Sequence, residues 1–261
     1  MVARAIWKAE LKLNGARVPV RLYSAVRDRT VRFHILERGS KTRVKQHMVN
    51  AENGDEVPTG DVRKGFAVGP DTFVIFEPEE LEALEPKESR AIEIKRFMPL
   101  KAIAPEFYDR PYYLGPDGDA KSYFSLAAAL RNQKREGLAH WVMRKQRFVG
   151  ALRAEGDYLV LCTLRPADEV VPARVLPQAT GPAPDKKELA MARQLVGLLK
   201  GEFDAEEYRN EYRERVTEFV ERKAKGHAPR LRLVKSKHKT TALAQALSKS
   251  LAATKKGKRV A

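Results

Sequence analysis

The chain has 261 residues, of which 43% are hydrophobic, and its formal net charge is +16. This length suits one large domain or one domain with appendages, and the apolar fraction is enough for a buried core. The sequence contains no long apolar run and one cysteine, Cys162, so we expect no membrane span, no intrachain disulfide and no thiolate metal cluster.

The positive charge is concentrated at the C-terminus. Residues 222–261 hold nine lysines, four arginines and no acid, so 13 of the 16 net positive charges lie there. A block of this kind binds a polyanion, or stays unfolded until it does, which makes nucleic acid the first candidate partner. A membrane surface is disfavoured because the block lacks aromatic residues. The alternative is a solvated tail that aids solubility.

The first two-thirds of the chain favours β-structure. Apolar residues alternate with polar ones at residues 18–22, 31–35 and 92–94, which predicts strands, with His34 inside the second of them. Residues 158–164 also predict a strand, with Tyr158, Val160, Cys162 and Leu164 on one face and Leu159, Leu161 and Thr163 on the other. The continuous apolar run at residues 73–76 predicts a strand that is buried on both faces. Turn sequences such as Asn53-Gly54 separate these segments, and many short strands with this spacing predict a barrel or sandwich.

Two helices interrupt the β region in our prediction. The first covers about residues 78–84. The second begins with Ser122 as its N-cap, ends before Gly137, and places Leu126, Ala129 and Leu130 on one face.

The organisation changes near residue 173. Residues 177–184 are rich in proline and predict a linker, and the pairs Asp185 with Glu188 and Asp204 with Glu207 are capping-box patterns that predict two helices within residues 185–226. Apolar stripes along both helices need burial, either on the first domain or on a second subunit. The second option makes a dimer, whose predicted interface residues are Leu195, Leu199, Tyr208, Tyr212, Val216 and Phe219.

No catalytic or cofactor-binding motif accompanies these elements. The stretch Gly39-Ser40-Lys41-Thr42 lacks the upstream glycine of a phosphate-binding loop, and the five histidines have no metal-ligand spacing. Cys162 lies in an apolar strand, which predicts a small buried hydrophobe rather than a nucleophile. We therefore expect no catalytic residue, no metal and no cofactor.

Short blocks in the same order along the chain resemble bacterial Ku proteins over about residues 4–225. The opening blocks are residues 6–8, 18–25 and 33–34, followed by Glu56-Val57-Pro58 and Lys64-Gly65-Phe66. The later blocks are residues 89–94, 112–114, 167–170, 194–195, 201–204, 208 and 212–213. Residues 47–54 lack the paired cysteines of some relatives, so a zinc site is not supported, and residues 11–15 depart from the usual pattern.

The resemblance implies a mainly β fold with α, in which a Ku-type β-barrel core (residues 1–176) precedes a helical arm (185–226) and a basic, unfolded tail (227–261). It also implies a homodimeric ring that threads onto double-stranded DNA ends without reading sequence, protects and bridges these ends, and recruits an ATP-dependent DNA ligase in non-homologous end joining. Residues 38–66 would form the bridge over the DNA, and a hairpin with ~12 residues per arm reaches ~40 Å.

No ladder of exposed aromatic residues interleaves the lysines and arginines, which disfavours stacking of single-stranded bases and favours phosphate contacts to a duplex. These cations are therefore the candidate site. The first group of predicted DNA contacts is Arg38, Lys41, Arg43, Lys45, Arg63 and Lys64, and the second is Arg29, Arg32, Arg144, Lys145 and Arg147. The tail residues expected to contact DNA or the ligase are Lys235, Lys237, Lys239, Lys255, Lys256, Lys258 and Arg259.

We therefore expect a cytoplasmic, nucleoid-associated protein that is not an enzyme and has no membrane partner. Three alternatives remain open at this point. A nucleoid-binding or architectural protein would bind closed circles as well as linear DNA, a nuclease would need metal, and an RNA-binding module would prefer RNA in competition.

Overall fold

The computed structural model describes residues 4–177 and 181–226, and the predictions for residues 227–261 lie outside the described residues. The chain divides into two units. One contains the residues up to Arg29 and Phe33–Val175, and the other contains Thr30–Arg32 and the residues from Leu176 onward.

A closed barrel forms the first unit, which confirms the predicted β-barrel core. Its strand order is β1-β2-β6-β9-β8-β7-β5, and its neighbours are antiparallel except for the parallel pair β1–β5. The barrel strands are β1 (Trp7–Leu13), β2 (Ala16–Ser24), β5 (Ala91–Pro99), β6 (Tyr108–Pro116), β7 (Arg135–Met143), β8 (Gln146–Glu155) and β9 (Tyr158–Leu164). A separate two-stranded sheet contains β3 (Lys64–Gly69) and β4 (Thr72–Phe76).

The barrel interior is filled by alternate residues of its strands, as period-two patterning requires. Leu11, Val20, Leu152 and Leu159 are among the fully buried members of this core. Glycine is needed at residue 150 because a Cβ there would lie 2.6 Å from the Cys162 carbonyl oxygen and 2.6 Å from the Trp141 ring.

Helix α2 (Ala120–Gln133) packs on this core through Tyr123, Ala127 and Leu130. The buried Tyr123 hydroxyl donates to the Leu114 carbonyl and accepts from the Leu159 backbone N–H at 2.8 Å. One side chain therefore ties the helix to two neighbouring strands, β6 and β9.

The chain leaves the barrel after β2 and returns as β5, with β1 lying between these two strands. Everything in between is an insertion of residues 25–90. It contains two small loops, the β3–β4 hairpin and helix α1 (Pro78–Leu84), whose bounds match the predicted helix at residues 78–84.

Three predictions about this insertion are wrong. Residues 31–35, including His34, form no strand, because alternation alone does not supply a hydrogen-bonding neighbour. Residues 73–76 are a strand, but its side chains are largely exposed because β4 pairs only with β3. The predicted long hairpin over residues 38–66 is instead two short loops closed by the single bridges Leu36↔Arg43 and Val49↔Glu56.

The start of α2 also differs from the prediction. The N-cap is Asp119 rather than Ser122, because the Asp119 carboxylate accepts from the Ser122 N–H at 3.0 Å. Ala129 is exposed, and the buried face contains Tyr123 and Ala127 instead. A three-residue shift of the cap accounts for part of this error, since either residue type caps helices.

Two helices form the second unit. Helix α3 (Lys186–Leu198) begins with the predicted capping box, in which Asp185 accepts from the Glu188 N–H at 2.7 Å. The predicted helix start at Asp204 is wrong, because Asp204 caps only a 3-10 turn at Ala205–Glu207. Helix α4 (Glu211–Ala224) is capped by Asn210.

The Tyr123 hydroxyl makes a direct stability test possible. Replacing Tyr123 by Phe leaves the buried Leu159 N–H without its partner, so we expect the free energy of unfolding to fall by about 1–3 kcal/mol. Urea unfolding followed by circular dichroism measures this change. Tyr113→Phe is the matched control, because Tyr113 is exposed. Equal losses for the two variants would contradict the assigned role.

Candidate nucleic-acid interface

The first small loop of the insertion concentrates four of the predicted cations. Residues 38–47 contain Arg38, Lys41, Arg43 and Lys45 and no acid, and all four side chains are exposed. Backbone bonds from the Glu37 N–H to the Thr42 oxygen and from the Lys41 N–H to the Glu37 oxygen, each 2.9 Å, close the loop. We call residues 36–45 the basic loop.

The second small loop has the opposite charge. Residues 48–61 contain four acids and no lysine or arginine, and Gly54 at the turn has a φ of +77°. The Asn50 N–H donates to the Asp55 oxygen and the Val57 N–H to the Met48 oxygen, each at 2.8 Å. The predicted bridge is therefore not uniformly basic, and its cations lie in the basic loop and at residues 63 and 64.

The connection between β7 and β8 presents the next group. Arg144 and Lys145 form a two-residue hairpin turn in which both residues have positive φ, 51° and 63°. Turns of this geometry favour Asn-Gly, and a left-handed conformation costs other residues about 1–2 kcal/mol each. Arg147 follows at the start of β8 and is exposed. Two cations are thus held at the tip against a backbone preference.

Helix α1 partly neutralises this set. The Lys145 ammonium lies 2.8 Å from a Glu85 carboxylate oxygen and 3.7 Å from one of Glu82. The hydrogen bond and charge of Glu85 raise the pKa of Lys145 above its usual value. Likewise, the Arg63 Nε donates to the Glu77 carboxylate at 2.7 Å. Two predicted DNA contacts therefore have acidic partners within the chain.

Most of the predicted DNA contacts have no acidic partner. All eleven predicted cations of the described chain are exposed, and Arg32 interacts with other residues. The eight that form no ion pair with a described acid are Arg29, Arg38, Lys41, Arg43, Lys45, Lys64, Arg144 and Arg147. Exposed cations without acidic neighbours keep their charge available for phosphate oxygens, which they contact without reading bases.

An exposed apolar surface was missed by the sequence reasoning. In the β3–β4 hairpin, Phe66 is 66% exposed and lies opposite Val74, while Phe73 on the other face is 62% exposed. Phe33, Ile35 and other large apolar residues before the second loop are exposed as well. The apolar run at residues 73–76 was the available signal, but its pattern does not distinguish a buried strand from one that awaits a partner.

The predicted arm residues have a similar exposure. Leu199, Tyr208 and Tyr212 are exposed, the first to 81%, whereas Leu195, Val216 and Phe219 are half-buried. Phe203 and Tyr208 stack with ring centroids 5.1 Å apart. Within the second unit these apolar stripes therefore remain open.

The described residues offer no alternative catalytic or metal centre. No group of three or more His, Cys, Asp or Glu side chains in residues 4–177 and 181–226 is placed to hold a metal ion. Cys162 is buried, and burial raises the pKa of its thiol, which disfavours the reactive thiolate. Among the helices of the described chain, none is both long and apolar enough to cross a bilayer.

Comparisons of the chain with known proteins agree on one family. The profile of the Ku70/Ku80 beta-barrel domain matches residues 12–191. A "Non-homologous end joining protein Ku" of Anaeromyxobacter sp. (strain K) is 38% identical over 98% of this chain and 87% of its own length. "Non-homologous end joining protein Ku 2" of Geotalea uraniireducens (strain Rf4) is 35% identical over 87% of this chain and 88% of its own length.

The similarity extends to an archaeal relative. The "Non-homologous end joining protein Ku" of Archaeoglobus fulgidus is 30% identical over 85% of this chain and 89% of its own length. The domain match runs from the end of β1 through the rest of the barrel and the insertion to the start of α3. The chain therefore belongs to the Ku family.

Proposed function

We propose that this chain is a non-enzymatic homodimer that binds the ends of double-stranded DNA, independently of sequence, in non-homologous end joining. The observation that carries the proposal is the set of eight exposed cations without ion pairs, six of them in or next to the insertion. The printed names of the relatives support the repair process. In this role the protein works in the cytoplasm, associated with the nucleoid.

The mechanism follows from the type of contact. Lysine and arginine bind phosphate oxygens, which are the same at every base pair, so affinity arises without sequence information. If the chain neutralises ~6–10 phosphates, binding falls by roughly 10³–10⁵ between 50 and 200 mM salt. Selectivity for ends then needs another source. A closed protein ring supplies it, since it loads only where the duplex has a free end.

Exposed apolar surface supports the homodimer. Both faces of the β3–β4 hairpin present large side chains, and the insertion that contains this hairpin also contains the basic loop. Contiguous apolar surface on a folded protein is usually covered by a partner. A second copy that covers the hairpin, together with the arm residues Leu195, Leu199, Tyr208, Tyr212, Val216 and Phe219, would join two insertions into one ring.

The tail and the ligase complete the proposal. A block of ten lysines and arginines in residues 227–261 would add non-specific DNA affinity or contact an ATP-dependent DNA ligase. Its proposed contact residues are Lys235, Lys237, Lys239, Lys255, Lys256, Lys258 and Arg259. The ligase would supply the chemistry of joining, and this chain would hold the substrate.

The first test compares one DNA in linear and covalently closed circular form at matched salt. We expect strong binding to the linear form, and we expect it to be lost when bulky caps block both ends, because a ring cannot load past them. Electrophoretic mobility and protein–DNA pull-down both report the difference.

A chain that ends at Gly226 serves as the control for non-specific tail binding. It should bind linear DNA more weakly than the full chain while keeping the preference for ends. If the full chain and the shortened chain each bind circular DNA as tightly as linear DNA, the result would instead favour the architectural alternative.

The second test removes the charges of the basic loop. Replacing Arg38, Lys41, Arg43 and Lys45 by Gln should weaken duplex binding and reduce the slope of log affinity against log salt by up to about four. A double control, Lys8→Gln with Lys95→Gln, removes two exposed lysines that already pair with Asp117 and Glu93. If both sets change the slope per charge equally, the basic loop has no special part in binding.

The third test addresses the dimer. Phe66→Ser with Val74→Ser makes one exposed face of the hairpin polar, so the barrel should keep its stability while the dimer dissociates into monomers at micromolar concentration. Analytical ultracentrifugation measures the mass. Leu84→Ser, on exposed α1, is the control and should leave the mass unchanged. An unchanged dimer in the hairpin variant would place the interface elsewhere.

A further inference from the structure

Left-handed backbone positions in this chain are unusually basic. Seven described non-glycine residues have positive φ, and five of them are Lys41, Lys101, Lys134, Arg144 and Lys145. Lysine and arginine make up 50 of 261 residues, so composition alone would place one or two of them among seven positions. Asparagine, aspartate and glycine are the residues that adopt this conformation most easily. The excess indicates that cations are kept at these positions despite backbone strain.

Three of these five residues belong to the candidate interface already described. Lys41 lies in the basic loop, and Arg144 and Lys145 form the β7–β8 turn. The other two have no assigned part, yet they are neighbours: the backbone N–H of Leu100, next to Lys101, donates to the Lys134 oxygen at 3.1 Å.

Further cations surround this pair. Arg135 begins β7 and lies opposite Pro99, the last residue of β5. Lys134, which precedes Arg135, donates its N–H to the Arg131 oxygen at 3.2 Å at the end of α2. The end of α2 therefore lies beside the end of β5. The cations at this meeting point are exposed, and we call them the α2-end patch: Lys101, Arg131, Lys134 and Arg135.

Few acids offset the patch. Asp157 lies 3.7 Å from Arg131, and it is the one acid of the described chain that forms an ion pair with a patch residue. Glu136 follows Arg135 but is buried, where it accepts from the Tyr108 hydroxyl at 2.8 Å. The patch therefore keeps most of its charge toward solvent.

Stabilisation of the α2 helix does not explain the whole patch. Cations in the last turn of a helix interact favourably with its dipole, which accounts for Arg131 and Lys134. Lys101 belongs to the turn that follows β5. Lys134 occupies the left-handed position that usually favours glycine after a helix.

The α2-end patch is separate from the β7–β8 turn. Arg135 and Arg144 lie at opposite ends of β7, and nine residues of strand span about 25–30 Å. That distance exceeds the Debye length of about 8–10 Å at physiological salt, so the two groups act on different phosphates. Between them, His140 lies opposite Glu93, and Glu93 pairs with Lys95 at 2.5 Å.

We propose that the α2-end patch binds the phosphate backbone of a second DNA duplex, distinct from the one held by the basic loop and the β7–β8 turn. This inference rests on the proposed function, since it assumes that the chain binds a first duplex. Two separated basic surfaces on one barrel would let a single protein particle hold two DNA segments.

The test uses the backbone geometry to protect folding. Lys101→Gly with Lys134→Gly removes two of the four patch cations and places glycine where it is most readily accommodated, so the double variant should keep or raise the melting temperature. Asn14→Gly relieves the same backbone conformation without removing a charge and is the matched control. Arg144→Gly with Lys145→Gly makes the equivalent change at the other end of β7.

Two assays on the full chain separate the surfaces. Fluorescence anisotropy measures affinity for one short duplex over a range of salt. A second assay loads the protein on a surface-tethered duplex and measures capture of a labelled free duplex. For the Lys101/Lys134 variant we expect single-duplex affinity within twofold of wild type, at least fivefold lower capture, and a capture salt slope reduced by about two. The Arg144/Lys145 variant should weaken single-duplex binding.

Several results would overturn the inference. Unchanged capture by the Lys101/Lys134 variant, or a fall in its single-duplex affinity that fully accounts for the lost capture, would do so. Preferential capture of labelled RNA over labelled DNA would also overturn the inference. A wild-type chain that binds one duplex and captures no second one overturns this inference alone, whereas a chain that binds no linear duplex overturns the proposed function.

Discussion

The parallel pairing of β1 with β5 is the constraint on which the rest of the molecule depends. Glu10, Leu11 and Lys12 lie opposite Ala91, Ile92 and Glu93, and this pairing closes the barrel. Because a closed barrel has no free edge, residues 25–90 have no strand to join in it and must form their own structure outside. The basic loop, the apolar hairpin and α1 all result from this exclusion. The buried core of the barrel accordingly contains no residue of the insertion.

Positive and negative charges occupy separate loops of the insertion. The basic loop has no acid among residues 38–47, while the following loop has four acids and no lysine or arginine. Glu77 and Glu85, which cap the two ends of α1, pair with Arg63 and Lys145, and the cations of the basic loop form no ion pair with a described acid. These pairs are exposed and contribute little to stability, but they determine which cations keep a free charge. In the proposed function, phosphates would meet the basic loop first.

Sequence reasoning succeeded where local rules decide the structure. Period-two patterning identified the barrel strands at residues 18–22, 92–94 and 158–164, and the Asp185–Glu188 capping box identified the start of α3. It failed where the outcome depends on a neighbour. Residues 31–35 alternate without finding a partner strand, and residues 73–76 are apolar without being buried. The cations of the candidate site could be predicted from the sequence. The ion pair of Lys145 with Glu85 could not, because these two residues are 60 positions apart in the chain. Lys101 and Lys134 were missed because only backbone geometry distinguishes them.

The insertion begins and ends on strands that flank the same neighbour, β1, and this placement bears on how such a protein changes over generations. Substitutions in residues 25–90 alter charge, apolar surface or loop length with little effect on the packing around Leu11, Leu152 and Leu159. Long excursions from a stable frame also cost little additional loop entropy. Selection can therefore adjust the insertion to a changing partner without disturbing the barrel core, so we expect the two parts of one gene to evolve at different rates.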